Sequence, residues 1–327
     1  MRFRSRICLD ALDYAIYRHL SPDGLVRFWG GRRLVDPRVS AREIADKVGL
    51  SEAGVRSRLR SLKQRGYLRG TEMWLNPSLF DVSIVVAEVP IKDPGEAKRL
   101  CDELALIEGV TFARDILDEE DRKVRVYYIS DTPAATARRT ALLRRLAPSA
   151  QIRGPTPYWI PPCSRLPSPL DWRLLGAFRR RPDSTLARFA SDVRVSLKTT
   201  ASRFHQLLDS GTCWWTISHD SEEMPLALLS LRLDAQVDPP NVGQSAAREI
   251  PGWIPLAPDG MGIAPSEGAP WVAGLVPVDS PVTVEHLVRR ALTVDGVRSV
   301  RRTFALGSTT YPQWFDERIA GRLSGRS

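Results

Sequence analysis

Along the 327 residues the spacing of apolar positions changes several times, and each change marks an element. Leu9, Leu12, Ile16 and Leu20 form one stripe at helical spacing, with Asp13 near its start, and predict a first helix. Residues 40–66, SAREIADKVGLSEAGVRSRLRSLKQRG, predict two further helices joined by a tight turn. Ile44, Ala45 and Val48 share a face of the earlier helix, Gly49 supplies the left-handed residue that ends it, and Ser51 can cap the next. On that next helix, an advance of about 100° per residue from Val55 brings Leu59 and Leu62 into one buried stripe. The intervening segment 21–39 is rich in turn residues and holds Phe28, Trp29, Gly30, Gly31, Arg32 and Arg33. It reads as a β-hairpin that either reaches nucleic-acid phosphates or packs Trp29 on the first helix. Residues 67–75 alternate as a short strand pair would, a wing.

From residue 81 the pattern becomes that of an α/β sandwich. Strands are predicted at 83–91, 111–117, 123–130 and from 150, with helices at 94–107 and 134–146, in the order βαββαβ. One antiparallel sheet covered on one face by two helices satisfies that order, a ferredoxin-like arrangement. Pro155, Pro157, Pro161, Pro162, Pro167 and Pro169 then exclude a helix and predict a stiff linker. After them the pattern restarts. LDWRLLGAF from Leu170 overlays LDYAIYRHL from Leu12, and residues 187–211 overlay residues 42–66, so that Ala190 matches Ala45, Ser196 matches Ser51, Arg203 matches Arg58, Leu207 matches Leu62 and Gly211 matches Gly66. A second βαββαβ follows, with strands near 226–233, 253–257, 272–277 and 300–306 and helices near 242–249 and 284–292.

The expected class is therefore α+β, with two winged helix-turn-helix domains alternating with two ferredoxin-like domains. Their expected bounds are 1–76, 77–154, a linker 155–169, 170–220 and 221–327. Each ferredoxin-like sheet has one face without helices, so the two are expected to pack sheet against sheet as an intramolecular pseudo-dimer. Further assembly into homodimers or larger species is left open.

Charge sharpens the picture once it is localised. Residues 1–72 hold 16 Lys or Arg against 8 Asp or Glu, so a net +8 of the chain's +9 sits on the first module. Concentrated cationic charge of this kind suits a polyanion. On the helix at 52–65, Ala53, Ser57, Arg60 and Gln64 lie opposite the buried stripe, flanked by Arg56 and Lys63 on one side and by Arg58 and Arg65 on the other. A polar ridge between cationic flanks fits a major groove, with the ridge on base edges and the flanks on phosphates. Ser51, Arg56, Ser57, Arg58, Arg60, Lys63, Gln64 and Arg65 are thus the candidate DNA contacts, joined by Arg32 and Arg33 of the hairpin. In the second copy the outward positions are Lys198, Ser202, His205 and Asp209, and Lys198, Ser202, Arg203 and His205 are its candidates. Residues 52–65 carry a net +4 and residues 197–210 a net +1, so the first helix is expected to dominate. The bland alternative is a solvated basic face.

Other chemistry is poorly provided for. No apolar run is long enough to span a bilayer, and the basic N-terminus lacks the apolar segment of a signal peptide. Cys8, Cys101, Cys163 and Cys213 are far apart, which suggests reduced thiols in a cytoplasmic protein and no zinc site. Neither a Ser/His/Asp set nor a Gly-rich phosphate loop is present, so no catalytic residue, metal or cofactor is assigned and the expected partner is double-stranded DNA, with no membrane.

Leu9, Asp10 and Asp13, then Ile44, Ala45, Val48, Gly49, Leu50 and Ser51, then Arg58, Leu59, Leu62 and Gly66, followed by βαββαβ, resemble the Lrp/AsnC regulators. The resemblance implies a DNA-binding transcription regulator that pairs through its βαββαβ domain, often around an amino-acid effector. Where that family has a Gly-x-Tyr/Phe-Asp turn, this chain has Leu117, Asp118, Glu119, Glu120 and Asp121, so an amino-acid effector is not carried over and any small-molecule effector is left open. A sister group of the same architecture, the siroheme decarboxylases, supplies an enzymatic alternative that would need a histidine in the sandwich. The first sandwich has none. A protein-interaction scaffold on degenerate DNA-binding modules is the third reading.

Overall fold

The computed structural model describes residues 10, 12–13, 15–16, 40–68, 70–118, 121–148, 151–158, 163–218, 226–250, 253–256, 271–278 and 280–325. The expected hairpin with Arg32 and Arg33 lies outside them. Leu12, Asp13, Ala15 and Ile16 are helical, and Ile16 is fully buried. Helix α1, Ala41–Val48, begins at a capping box in which Ser40 and Glu43 satisfy each other's backbone donors, and ends at Gly49 with φ of 70°. Helix α2, Glu52–Gln64, starts where the Ser51 hydroxyl accepts the Gly54 amide at 3.0 Å.

Strand β1, Gly70–Leu75, departs from the expected hairpin wing. Its partner is β6, Cys213–Ser218, the matching strand of the second copy. Tyr67 and Leu68 are buried in the core of the first module, which leaves one strand there among the described residues, and its backbone groups find their ladder in the other module.

After a short 3-10 turn, Pro77–Phe80, the first sandwich runs β2 Ser83–Ile91, α3 Pro94–Leu104, β3 Val110–Leu117, β4 Arg122–Ser130, α4 Pro133–Leu146 and β5 Arg153–Tyr158. Strand β5 runs through the expected boundary at residue 154 and takes Pro155 and Pro157 into the sheet. It lies at the end of the strand order, where a missing N–H is tolerated. The second module is built of α5 Pro169–Arg180, α6 Leu186–Val193 and α7 Leu197–Asp209. The second sandwich follows as β7 Leu226–Leu233, α8 Pro239–Glu249, β8 Ile254–Leu256, β9 Trp271–Pro277, α9 Pro281–Leu292 and β10 Val297–Thr310. A last helix, α10 Gln313–Leu323, has no counterpart in the expected elements. It packs on α5, burying Trp314, Phe315 and Ile319 against Trp172 and Phe178.

The strand order is β5-β2-β4-β3-β10-β7-β9-β8, a single eight-stranded sheet in which each half repeats one antiparallel order. The halves meet edge to edge, with Phe304 opposite Leu117 and Thr310 opposite Phe112, where a sheet-against-sheet contact was expected. Strand β10 is 14 residues long and bulges between Ala305 and Gly307, so its first part pairs β7 and its last part reaches β3. The faces without helices are covered crosswise. Leu228, Ala273, Leu275 and Ala305 of the second sheet share a core with Ile44, Val55 and Leu62 of the first module, while Ile84 and Ile129 of the first sheet join the core of the second module.

Candidate nucleic-acid interface

Helix α2 buries Val55 and Leu62 completely and Leu59 in part, which turns Ala53, Ser57, Arg60 and Gln64 out to solvent. The Arg56 and Lys63 flank is exposed as well, Arg56 lying 2.6 Å from Glu52 one turn earlier. The opposite flank is spent inside the module. Arg58 donates to both Asp10 carboxylate oxygens, at 2.8 and 2.7 Å, and to Asp13 at 2.8 Å. Arg65 is 3.7 Å from Asp13 and stacks over Tyr67. Burial pushes the Asp10 carboxyl up, but the hydrogen bond from Arg58, the backbone amides of Asp13 and Leu12 and the Arg58 charge together outweigh it and hold the group below the usual aspartate value. The Arg58 guanidinium is raised in turn, first by its hydrogen bonds to Asp10 and Asp13.

The second module repeats this brace. Asp171, fully buried, matches Asp13 and lies 3.5 Å from Arg203, which matches Arg58. It also receives Arg165 at 2.9 Å and the amide and hydroxyl of Ser168. Lys198, Ser202, His205 and Asp209 are exposed on α7, as the wheel places them. Ala201 and Leu208 stand where the first module has Arg56 and Lys63, so the outer cationic flank is missing, and Leu208 is buried. In the turn before α7, Arg194 occupies the left-handed position of Gly49, at φ of 58°, with its side chain exposed.

Helical wheels cannot reveal a brace between residues 45 positions apart, and this is why Arg58 reads as a phosphate ligand in sequence. A second charged cluster was also missed. On the helix-free face of the first sheet, Arg125 reaches Glu88 at 2.5 Å, Lys123 reaches Asp118 at 2.8 Å and Glu88 at 3.2 Å, and Arg301 of the second half reaches Asp118 at 3.5 Å. The period-two placement of Lys123 and Arg125 within an apolar strand is the signal that could have found it. Among the described residues no group of three His, Cys, Asp or Glu could hold a metal ion, and no helix is long and apolar enough to cross a membrane.

Residues 34–69 match a winged helix-turn-helix DNA-binding family model. The HTH-type transcriptional regulator LrpA of Mycobacterium tuberculosis is 30% identical over 148 residues, which cover 44% of this chain and 85% of that protein. Among solved structures, the siroheme decarboxylase NirDL is similar over 97% of this chain and 99% of its own, at 10% identity and a TM-score of 0.46. The M. tuberculosis leucine response regulatory protein LrpA is similar over 47% of this chain and 100% of its own, at 26% identity and a TM-score of 0.31.

Proposed function

This chain belongs to the Lrp/AsnC family of DNA-binding transcription regulators, and from that membership we propose that it recognises a specific sequence in double-stranded DNA with α2 as the principal reader. The observation that carries the reading is the exposed ridge of Ala53, Ser57, Arg60 and Gln64 on a helix whose other side is locked into the core. Short side chains at Ala53 and Ser57 let the helix backbone approach a groove floor. Arg60 and Gln64 then offer the planar donor and acceptor sets that pair with guanine and adenine edges. Ser51, Arg56 and Lys63 border the ridge and meet phosphates. Arg58 and Arg65 act behind the interface, bracing α2 against the first helix through Asp10 and Asp13.

Selection of bound fragments from random DNA tests the reading directly. A motif should be enriched, and Arg60→Ala should change which bases are preferred at one position by about tenfold, in keeping with 1–3 kcal/mol for a bidentate base contact. Lys63→Ala should weaken selected and random DNA alike. Equal loss on both kinds of DNA for Arg60→Ala would overturn the assignment of the ridge to base edges.

A further inference from the structure

The two recognition helices are held by a ladder that is itself nearly two-fold. Thr71 pairs with Ile217 and Glu72 with Thr216. Gly211 follows its match Gly66 by 145 positions, and Thr216 and Ile217 follow Thr71 and Glu72 by the same 145. Exchanging the two strands therefore reproduces the pairs from Gly70 with Ser218 to Met73 with Trp215, and the local axis passes between the two central ones. Both modules leave that axis after the same number of residues, although Cys213 lies within the ladder and its match Leu68 precedes it. Ser51 and Ser196 cap α2 and α7, Gly49 and Arg194 end the preceding helices in the left-handed conformation, and Asp13 with Arg58 is repeated by Asp171 with Arg203. Crosswise packing on the two sandwiches fixes the modules a second time.

What the axis does not preserve is the readers' chemistry. Ala53, Ser57, Arg60 and Gln64 on α2 correspond to Lys198, Ser202, His205 and Asp209 on α7, and all eight are exposed. Arg60 and Gln64 suit guanine and adenine edges. Lys198 suits guanine O6 and N7, and Asp209 can accept from the N4 amine of cytosine, which Gln64 has no reason to prefer. With Arg56 and Lys63 replaced by Ala201 and the buried Leu208, α7 also offers fewer cations to phosphates, and Arg194, exposed in the turn before it, adds one beside its N-terminus.

Resting on the proposal that α2 reads DNA, we infer that one chain binds one directional site made of two unlike half-sites in inverted orientation on one face of the duplex, α2 reading one and α7 the other. Helices related by a two-fold axis meet successive major grooves with their half-sites inverted and a whole number of turns apart, about 10 base pairs or a multiple. Because the ridges differ, the two halves differ, and the site has a polarity that a symmetric dimer's palindrome lacks.

The test uses the full chain. After selection from random DNA, four fragments are compared at one salt concentration: the selected site, each half duplicated as a perfect palindrome, and the two halves as a direct repeat. The selected site should bind at least tenfold tighter than the other three, with one chain per fragment by mass measurement. Arg60→Ala should relax base preference in one half only, and Asp209→Ala in the other half only. Arg194→Gly should weaken binding of the second half while raising the thermal midpoint, since glycine fits the left-handed position better. A palindrome bound as well as the selected site, a motif confined to one half, or no change on Asp209→Ala would overturn the inference and leave the α2 reading standing. Failure to enrich any motif would overturn both.

Discussion

Asp13 is 5% exposed and shares its carboxylate with Arg58 and Arg65, so neutralising it leaves a half-buried guanidinium short of its partner. Asp13→Asn should cost about 1–3 kcal/mol of unfolding free energy, the penalty for an unsatisfied buried group. Arg58→Met should cost a similar amount, and the double variant less than their sum. Denaturant midpoints in a double-mutant cycle measure this, and strict additivity would show that the brace carries no coupling. Glu88 provides a pH signature. Burial pushes its carboxyl up, yet the charges and hydrogen bonds of Arg125 and Lys123 together outweigh burial and leave it below the ordinary glutamate value of 4.5. A carboxylate depressed in the folded state contributes stability above its unfolded value, and that contribution is lost as pH falls through the folded one. The stability gap between the native chain and Glu88→Gln should be full at neutral pH and close in acid below about 4.5. A gap that persists at low pH would show that packing, not charge, sets it. At this scale the caps were legible in sequence, because Ser51 and Gly49 act within a few residues of themselves. Asp13 with Arg58 and Glu88 with Arg125 were not, because both pairs span long loops of chain.

Helices and strands of both sandwiches followed from periodicity, which reports which face of an element is buried. Periodicity does not report against what. Strand β1 was read as half of a local hairpin, and only the fold shows that its ladder lies in the other module. The same limit hid the β3 and β10 junction, since each strand on its own is an ordinary sheet edge. Helix α10 illustrates a further gap. It starts at Pro312 without a side-chain cap, so its boundary carries little signal, yet Trp314 and Phe315 are each 3% exposed in the core of the second module. Trp314→Ala should cost about 3–5 kcal/mol, as large aromatic truncations in cores do. The loss should appear as faster amide exchange in α5, against which α10 packs, and unchanged exchange in α5 would show that α10 is dispensable to the module.

Across the whole molecule, net charge predicts a polyanion partner, while the fold decides which cations are free to meet it. Of the five cations on α2 and its C-cap Arg65, three stand at the exposed surface, Arg56, Arg60 and Lys63. Log affinity falls against log salt by about 0.9 per neutralised phosphate, so Arg56→Ala with Lys63→Ala should flatten that slope by roughly two units. Arg58→Ala should leave the slope nearly unchanged while lowering stability. Titrations of one fragment at several salt concentrations decide it, and a slope that drops by about one for Arg58→Ala would mean that the brace opens on DNA. Two modules that meet by diffusion separate on dilution, and each can be replaced by the module of a related protein. Here β1 and β6 belong to one polypeptide, so the second module is present at the effective concentration its tether sets, commonly millimolar, whatever the abundance of the protein. A substitution in such a chain is also made once, where in a pair of identical subunits it is made twice. Residues such as His205 and Asp209 could therefore change without altering their counterparts Arg60 and Gln64, which is the freedom that separates inheritance of the two faces.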